Sequence, residues 1–245
     1  MQVTQLWRHP IKSLGRERIA KTELVAGRSM PWDRIWAVAH DATKAEPGAW
    51  ASCHNFSRVS QAPALMAVTA RLNEETETLT LSHPDQPDLT IRPDKAGADI
   101  ATWMTTLVPD KRAQPSHVLR LDGRGYTDSD FASVTLCNHA SHRAVEERMD
   151  KALSIHRWRG NIWFESDAPW IEFDWMNCDI QVGDAILRPR ERTDRCVATS
   201  SNPDTGQRDA NTLNALDSFG HRDFSVRCEI IRGGLVRQDD VVMPL

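Results

Sequence analysis

Short runs of β-branched or alternating residues, each closed off by Gly, Pro, Asn or Asp, constrain this chain most. Runs too short to make a stable helix and bounded by turn formers read as strands. Val3 to Arg8, Ile35 to His40, Leu65 to Leu72 and Thr78 to Ser82 are such runs, so the first third of the chain predicts β structure. Helical spacing occurs at Ile100, Trp103, Met104 and Leu107, in a segment from Asp99 to Val108 that stops at Pro109. A second helix is predicted over Asn138 to Leu153, with Ala140, Ala144, Val145, Met149 and Leu153 on one side. Beyond it, Ile162 to Glu165, Ile180 to Leu187 and Val226 to Arg232 read as further strands between loops. The sum is a mainly β chain with a few helices, of α+β class. Pro84-Asp85-Gln86-Pro87-Asp88 and Pro93-Asp94-Lys95 mark a solvated stretch.

With 245 residues, 40% of them hydrophobic, the chain can bury a sizeable core as one large or two coupled domains. A net charge of −4 argues against a nucleic-acid partner held by bulk electrostatics. No apolar run reaches the roughly 18 residues of a membrane span, and the N-terminus has no apolar signal core. The expected location is the reducing cytoplasm, with no membrane partner.

The five cysteines, Cys53, Cys137, Cys178, Cys196 and Cys228, are odd in number and form no CxxC pair. A zinc site or iron–sulfur cluster made by this chain alone is therefore not expected. Cys137 and Cys228 fall in apolar runs and read as inert small hydrophobes. Cys196 is different. It lies in Arg195-Cys196-Val197-Ala198-Thr199-Ser200-Ser201-Asn202-Pro203-Asp204-Thr205-Gly206, with Arg190, Arg192 and Arg195 within six residues. Positive charge close to sulfur favours the thiolate, which is either a nucleophile or a metal ligand. Cys53-His54 and the pair His139 and His142 read as incidental placements, and the nine tryptophans as core residues. Of the thirty basic residues twenty-four are Arg, a type suited to bidentate recognition of phosphate and other oxyanions.

The Cys196 segment resembles the core signature of the MOSC family, the domain named for the C-terminal part of molybdenum cofactor sulfurases. There the motif reads Arg-Cys, a few residues, then Asp-Pro-Asp-Thr-Gly; Arg195, Cys196, Pro203, Asp204, Thr205 and Gly206 match it. Asn202 stands for the usual Asp, and both residues can close an Asx turn. Upstream, His9-Pro10-Ile11-Lys12-Ser13-Leu14 and Asp33-Arg34-Ile35-Trp36-Ala37-Val38 resemble motifs of the family's N-terminal domain. Tyr126-Thr127-Asp128-Ser129, Arg159-Gly160-Asn161-Ile162 and Phe219-Gly220-His221 follow in the family's order. The resemblance implies a MOSC-type β-barrel over residues 96–245 behind a β-rich N-terminal domain over residues 1–95.

It also implies a molybdenum cofactor (Mo-molybdopterin), whose metal Cys196 ligates as the catalytic residue. Lys12, Ser13 and Arg34 would meet the cofactor phosphate, Arg159, Asn161 and Arg195 would lie along the pterin, and Asp128 and Ser129 would line the same cleft. The implied reaction is reduction of a small N-hydroxylated or N-oxide substrate. With no ferredoxin-like cysteine cluster in the chain, electrons are expected from a separate flavin, haem or iron–sulfur protein. Two other readings stand beside this one. The first is a carrier of the molybdenum cofactor or its sulfur without turnover; the second is a cysteine hydrolase using Cys196 and His221. Departures from the family fall at Asn211-Thr212-Leu213, where relatives carry Glu-Pro-Leu, and at Asp239, where they carry Gly before Asp.

Overall fold

The computed structural model describes residues 1–245. The strands are β1 (Gln2–Arg8), β2 (Glu17–Ile19), β3 (Lys21–Leu24), β4 (Trp36–His40), β5 (Thr69–Asn73), β6 (Thr78–His83), β7 (Gln86–Ile91), β8 (Pro115–Arg120), β9 (Val134–Asn138), β10 (Ile162–Glu165), β11 (Ile180–Val182), β12 (Ala185–Asp194), β13 (Asp223–Arg232), β14 (Gly234–Arg237) and β15 (Val242–Pro244). The helices are α1 (Gly97–Met104), α2 (His139–Met149) and α3 (Thr212–Asp217). Eight strands form one curled sheet in the order β15-β11-β12-β13-β9-β10-β1-β2. β5, β6 and β7 form a second sheet, and β4 pairs with β8 and β14 with β3. The molecule is mainly β with a few helices, as the short punctuated runs predict.

The alternation of burial follows from the pleat, since successive strand side chains face opposite sides. β6 is the plainest case, alternating half-buried and buried residues from Thr78 to His83. One core fills the curl of the large sheet, where Val3, Leu6, Leu136, Phe164, Leu187, Val226 and Val242 meet. A second packs Ile11, Leu14, Trp36, Leu65, Leu79, Ile100 and Met104 between the smaller sheets and α1. β1 joins the large sheet while Ile11 and Leu14, a few residues on, join the second core, so the chain passes from one to the other at Arg8 to Leu14.

Four expectations need correction. Leu65, Met66 and Ala67 lie in a 3-10 turn over Pro63–Ala67, and only Thr69–Asn73 is strand. Pro63 is in the first turn, where its fixed φ and missing N–H cost nothing. The run Ile180 to Leu187 is two strands joined by a hairpin through Gly183 and Asp184, with Gly183 at φ 58°. The stretch from Pro84 to Asp88 is not simply solvated loop, because β7 begins at Gln86. Pro87 is tolerated there because β7 is an edge strand. α2 ends earlier than Leu153: Asp150 adopts φ 48°, the left-handed conformation that stops a helix.

Candidate functional site

The passage between the cores, through Lys12 and Ser13, runs along one cavity of about 390 Å³. Its wall includes Lys12, Ser13, Arg34, Asp128, Arg159, Asn161, Arg195 and Cys196, eight of the nine residues singled out from the sequence. Ser129 is not at the wall. Its hydroxyl donates to the Phe131 carbonyl (2.8 Å) and pairs with Ser133 Oγ (2.8 Å), and it is Ser133 that lines the cavity.

The wall around Arg34 is built on unusual backbone. Ser13, Arg34 and Arg159 have φ of 69°, 55° and 50°, in the left-handed region. Non-glycine residues held there cost about 1 kcal/mol or more each, and such strain clusters at functional sites. Surrounding bonds over-determine it. Arg34 N–H donates to the His9 carbonyl (2.7 Å), and the Arg34 carbonyl accepts from Tyr126 N–H (2.8 Å). Gly125 must be glycine at this junction, because a Cβ there would stand 2.7 Å from the Asp33 carbonyl oxygen.

Asp33, fully buried, anchors the wall from behind. It accepts from His9 N–H (2.7 Å) and pairs with the Arg34 guanidinium. Burial opposes its ionisation, but the Arg34 charge and the His9 hydrogen bonds win and hold its carboxyl well below the usual range. His9 is pushed well below its ordinary pKa by burial and by the Arg159 and Arg34 charges. Lys12 Nζ donates to the Tyr126 carbonyl (2.7 Å) and to Asp128 Oδ1 (2.5 Å). An ammonium has three N–H groups, so one remains. Arg34 Nη2 donates to the Arg159 carbonyl (2.9 Å). Arg159 is pulled down to a pKa of about 9 by burial and then by the neighbouring Arg34 charge. Its buried Nη2 has no hydrogen-bond partner within the protein.

Behind Cys196 the arginines are committed to the protein itself. Arg195 donates to the Phe224 carbonyl through Nε (3.1 Å) and Nη2 (2.8 Å), to the Trp158 carbonyl (2.9 Å) and to Ser225 Oγ (2.9 Å). Its guanidinium lies 5.8 Å from the ring centres of both Trp158 and Phe224, which are stacked 3.9 Å apart. Arg157 clamps the segment after the cysteine, donating to the Ser200 carbonyl (3.1 Å) and to Asp209 Oδ1 (2.5 Å). Asn161 is likewise occupied, bracing Thr135 N–H (3.1 Å) and the Trp7 carbonyl (3.2 Å).

Cys196 begins a 3-10 turn over Val197–Ser200, and its carbonyl accepts from Thr199 N–H (3.2 Å) and Oγ1 (3.1 Å). The residue is exposed, in contrast to Cys137 and Cys228, whose thiols burial pushes up, Cys137 to about 12. Asn202 closes the expected Asx turn, its Oδ1 accepting from Asp204 N–H (2.8 Å). Gly206, at φ 68°, packs so tightly that a Cβ would stand 2.7 Å from Ala64 Cα.

Linear proximity misled at two arginines. Arg190 is paired with Glu229 (2.7 Å) and Arg192 lies over the Phe173 ring (4.3 Å); neither lines the cavity. His221, offered as a base for Cys196, packs against Trp170 and Phe173 and is also absent from the wall. In the other direction, Cys53 and His54, read as incidental, do line the cavity, with Arg58, Thr135, Arg157 and Arg227. They arrive through long-range pairing: Phe56 bridges Ala39, and Ser57 N–H donates to the Val38 carbonyl (2.9 Å). Nothing local in the sequence signals that. His142 is structural, its Nε2 donating to the Leu153 carbonyl (3.0 Å) and its Nδ1 accepting from Trp158 Nε1 (2.9 Å).

Seven cationic side chains and two carboxylates line the cavity, which therefore favours an anion. No three His, Cys, Asp or Glu side chains converge as a metal cage, so a metal here would take fewer than three such donors from the chain and the rest from its own ligand. No helix is long and apolar enough to cross a membrane.

Comparison with known proteins gives the same picture of kinship. The family model described as the MOSC N-terminal beta barrel domain matches residues 1–136, and that of the MOSC domain matches residues 124–243. Mitochondrial amidoxime-reducing component 1 of Mus musculus is 23% identical over 255 residues, spanning 89% of this chain and 71% of that protein. Among solved structures, the YuaD protein from Bacillus subtilis aligns with a TM-score of 0.47 at 10% identity, over 98% of this chain and 93% of that one.

Proposed function

The chain belongs to the MOSC family, joining its N-terminal beta barrel domain to a MOSC domain, and from that premise we propose that the cavity binds a molybdenum–pterin cofactor with which the protein reduces N-hydroxylated or N-oxide substrates. The observation that carries the proposal is the pairing of an exposed thiol with an unpartnered, buried guanidinium nitrogen in one cavity. Cys196 supplies a single soft donor for the metal, and Arg159 Nη2 a cationic N–H with nothing in the protein to bond. A pterin bearing a dithiolene at one end and a phosphate at the other asks for that pair.

When bound, such a cofactor supplies a two-electron reduction in which substrate N–OH, two electrons and two protons give N–H and water. The chain's own residues bind and orient. Lys12 Nζ keeps one N–H beyond those given to Tyr126 and Asp128, and Arg34 and Arg159 add fixed donors held by strained backbone. Arg195 and Arg157 hold the loops of Cys196 in place through carbonyls. Electrons come from a separate redox protein carrying flavin, haem or iron–sulfur. Mitochondrial amidoxime-reducing component 1 is the relative whose name bears on the substrate class, which here is an amidoxime or a related N-hydroxylated compound.

The test is molybdenum and pterin content together with turnover of a simple amidoxime driven by an artificial donor. Wild-type chain carries about one equivalent of molybdenum and turns over; Cys196→Ser, which replaces a soft thiolate with a hard hydroxyl, folds but loses metal and activity. Equal metal and turnover in the serine variant would remove Cys196 as ligand. Loaded wild-type protein inactive on several N-hydroxylated substrates would leave a carrier.

A further inference from the structure

A second cavity, of about 380 Å³, lies between the end of β4, the segment from Phe56 to Ala62 and the loop from Val108 to Ala113. Nothing in the function proposed above uses it. Its wall carries Arg58, Lys111 and Arg112 and no carboxylate. None of these three cations is ion-paired, and Arg58 makes only a long contact to Cys53 Sγ (3.5 Å). Unpaired like charges gathered around one space repel, which an anion in that space would relieve.

Two buried polar atoms point the same way. Ser57 is 6% exposed, and its Oγ has no hydrogen-bond partner in the protein. His40 donates from Nε2 to the His54 carbonyl (2.7 Å), which leaves the ring's other nitrogen, Nδ1, buried and unpartnered. Leaving a buried polar atom unsatisfied is costly, so two in one wall mark a place where a ligand supplies the missing bonds. The cationic loop is held in position. Gln114 side-chain N–H groups donate to the Pro109 (3.1 Å) and Arg112 (2.8 Å) carbonyls, and its backbone exchanges bonds with Asp41 at the end of β4 (2.9 and 3.2 Å). Phe56, Ala62, Val108 and Ala113 complete the wall with apolar surface.

We propose that this cavity is a second ligand site, selective for small phosphate monoesters with an apolar body. A carboxylate has one charge and two oxygens, too few for three cations, a hydroxyl and an imidazole nitrogen. A phosphate monoester carries about two charges and three acceptor oxygens, and it has an ionisable proton that the imidazole nitrogen can share. The cavity is also larger than a bare phosphate needs, lying in the range of small-molecule pockets, and its apolar wall suits an organic body. Arg58 lines this cavity and the first one alike, so a ligand here draws on a guanidinium that also faces the first cavity. The assignment does not depend on what the first cavity holds.

The test is calorimetric titration of the full chain with phenyl phosphate, and in parallel with inorganic phosphate, in wild type and in Arg159→Ala to silence the first cavity. One equivalent of phenyl phosphate binds in both, about tenfold tighter or more than inorganic phosphate because only the ester buries an apolar body. Lys111→Ala/Arg112→Ala, two exposed loop changes that leave the thermal midpoint unmoved, weakens phenyl phosphate at least about tenfold. Ser57→Ala weakens it about three- to tenfold while leaving the free chain as stable or more so, since it deletes a hydroxyl that had no partner. Absence of binding, affinity indifferent to both variants, or binding lost in Arg159→Ala would overturn the proposal. Inorganic phosphate binding as tightly as the ester would overturn the ester assignment.

Discussion

Two walls of the first cavity are both rich in arginine and use it in opposite ways. Behind Cys196, Arg195 gives four of its five N–H bonds to carbonyls and a hydroxyl, and Arg157 ties Ser200 to Asp209. Arg159, by contrast, keeps a buried Nη2 without a partner, on backbone strained into the left-handed region. The first set of arginines is bonded to the protein itself, and the second keeps a donor that an anion could take. What separates them is the fate of each N–H, which a count of positive charges cannot reveal. A chain of net charge −4 still presents a cationic cavity, because seven cations and only two carboxylates are gathered around it.

The largest test of this contrast is pH. His9 is held neutral by burial and by the Arg159 and Arg34 charges, His142 by burial under Trp158, and His156 falls to about 4 through burial and the Arg16 charge. Each folded-state pKa is below the unfolded value near 6.5, so the unfolded chain takes up protons first. Stability is therefore complete above pH 6.5 and drops as pH falls towards about 4, by about 1.4 kcal/mol per unit for each histidine fully engaged. Denaturant midpoints at pH 7.5 and 5 measure it. Equal midpoints would mean that burial and the neighbouring arginines do not hold these rings neutral.

Next in size is Arg195→Ala. It strands the Phe224 and Trp158 carbonyls and strips a cation from the ring stack, so a loss of about 3 to 5 kcal/mol in chemical unfolding is expected. A loss below about 1 kcal/mol would show that the guanidinium is free for a ligand after all. Gly206→Ala, at the foot of the same wall, costs about 1 to 3 kcal/mol from its left-handed φ and the contact with Ala64, measured the same way.

Much of this was legible in the sequence, and the reasons for the remainder are physical. β1, β4, β6, β10 and β13 announce themselves as apolar runs because each has a buried face within one continuous segment. The run at Leu65 misleads because a 3-10 turn buried in a core needs the same apolar residues as a strand, and only Pro63 marks the difference. Lys12, Arg34, Asp128, Arg159 and Cys196 could be named since each sits in a short motif that resembles one of the MOSC family, and the cavity brings all five together. Cys53, His54 and Arg58 could not, because they reach the cavity through pairing between Ala39 and Phe56. Nearness in sequence to Cys196 suggests that Arg190 and Arg192 act on it, but on the exposed face of β12 Arg190 is taken by Glu229 and Arg192 by the Phe173 ring.

The contrast between the walls is tested most directly by Arg159→Ala, read twice on the same preparation. Because its Nη2 has no partner in the protein, removing the side chain leaves the free chain within about 1 kcal/mol of wild type in chemical unfolding. Pterin occupancy under limiting cofactor falls by about tenfold or more, since a charge-assisted hydrogen bond to phosphate contributes about 1.5 to 3 kcal/mol. A variant that unfolded as readily as Arg195→Ala while keeping its pterin would contradict the account.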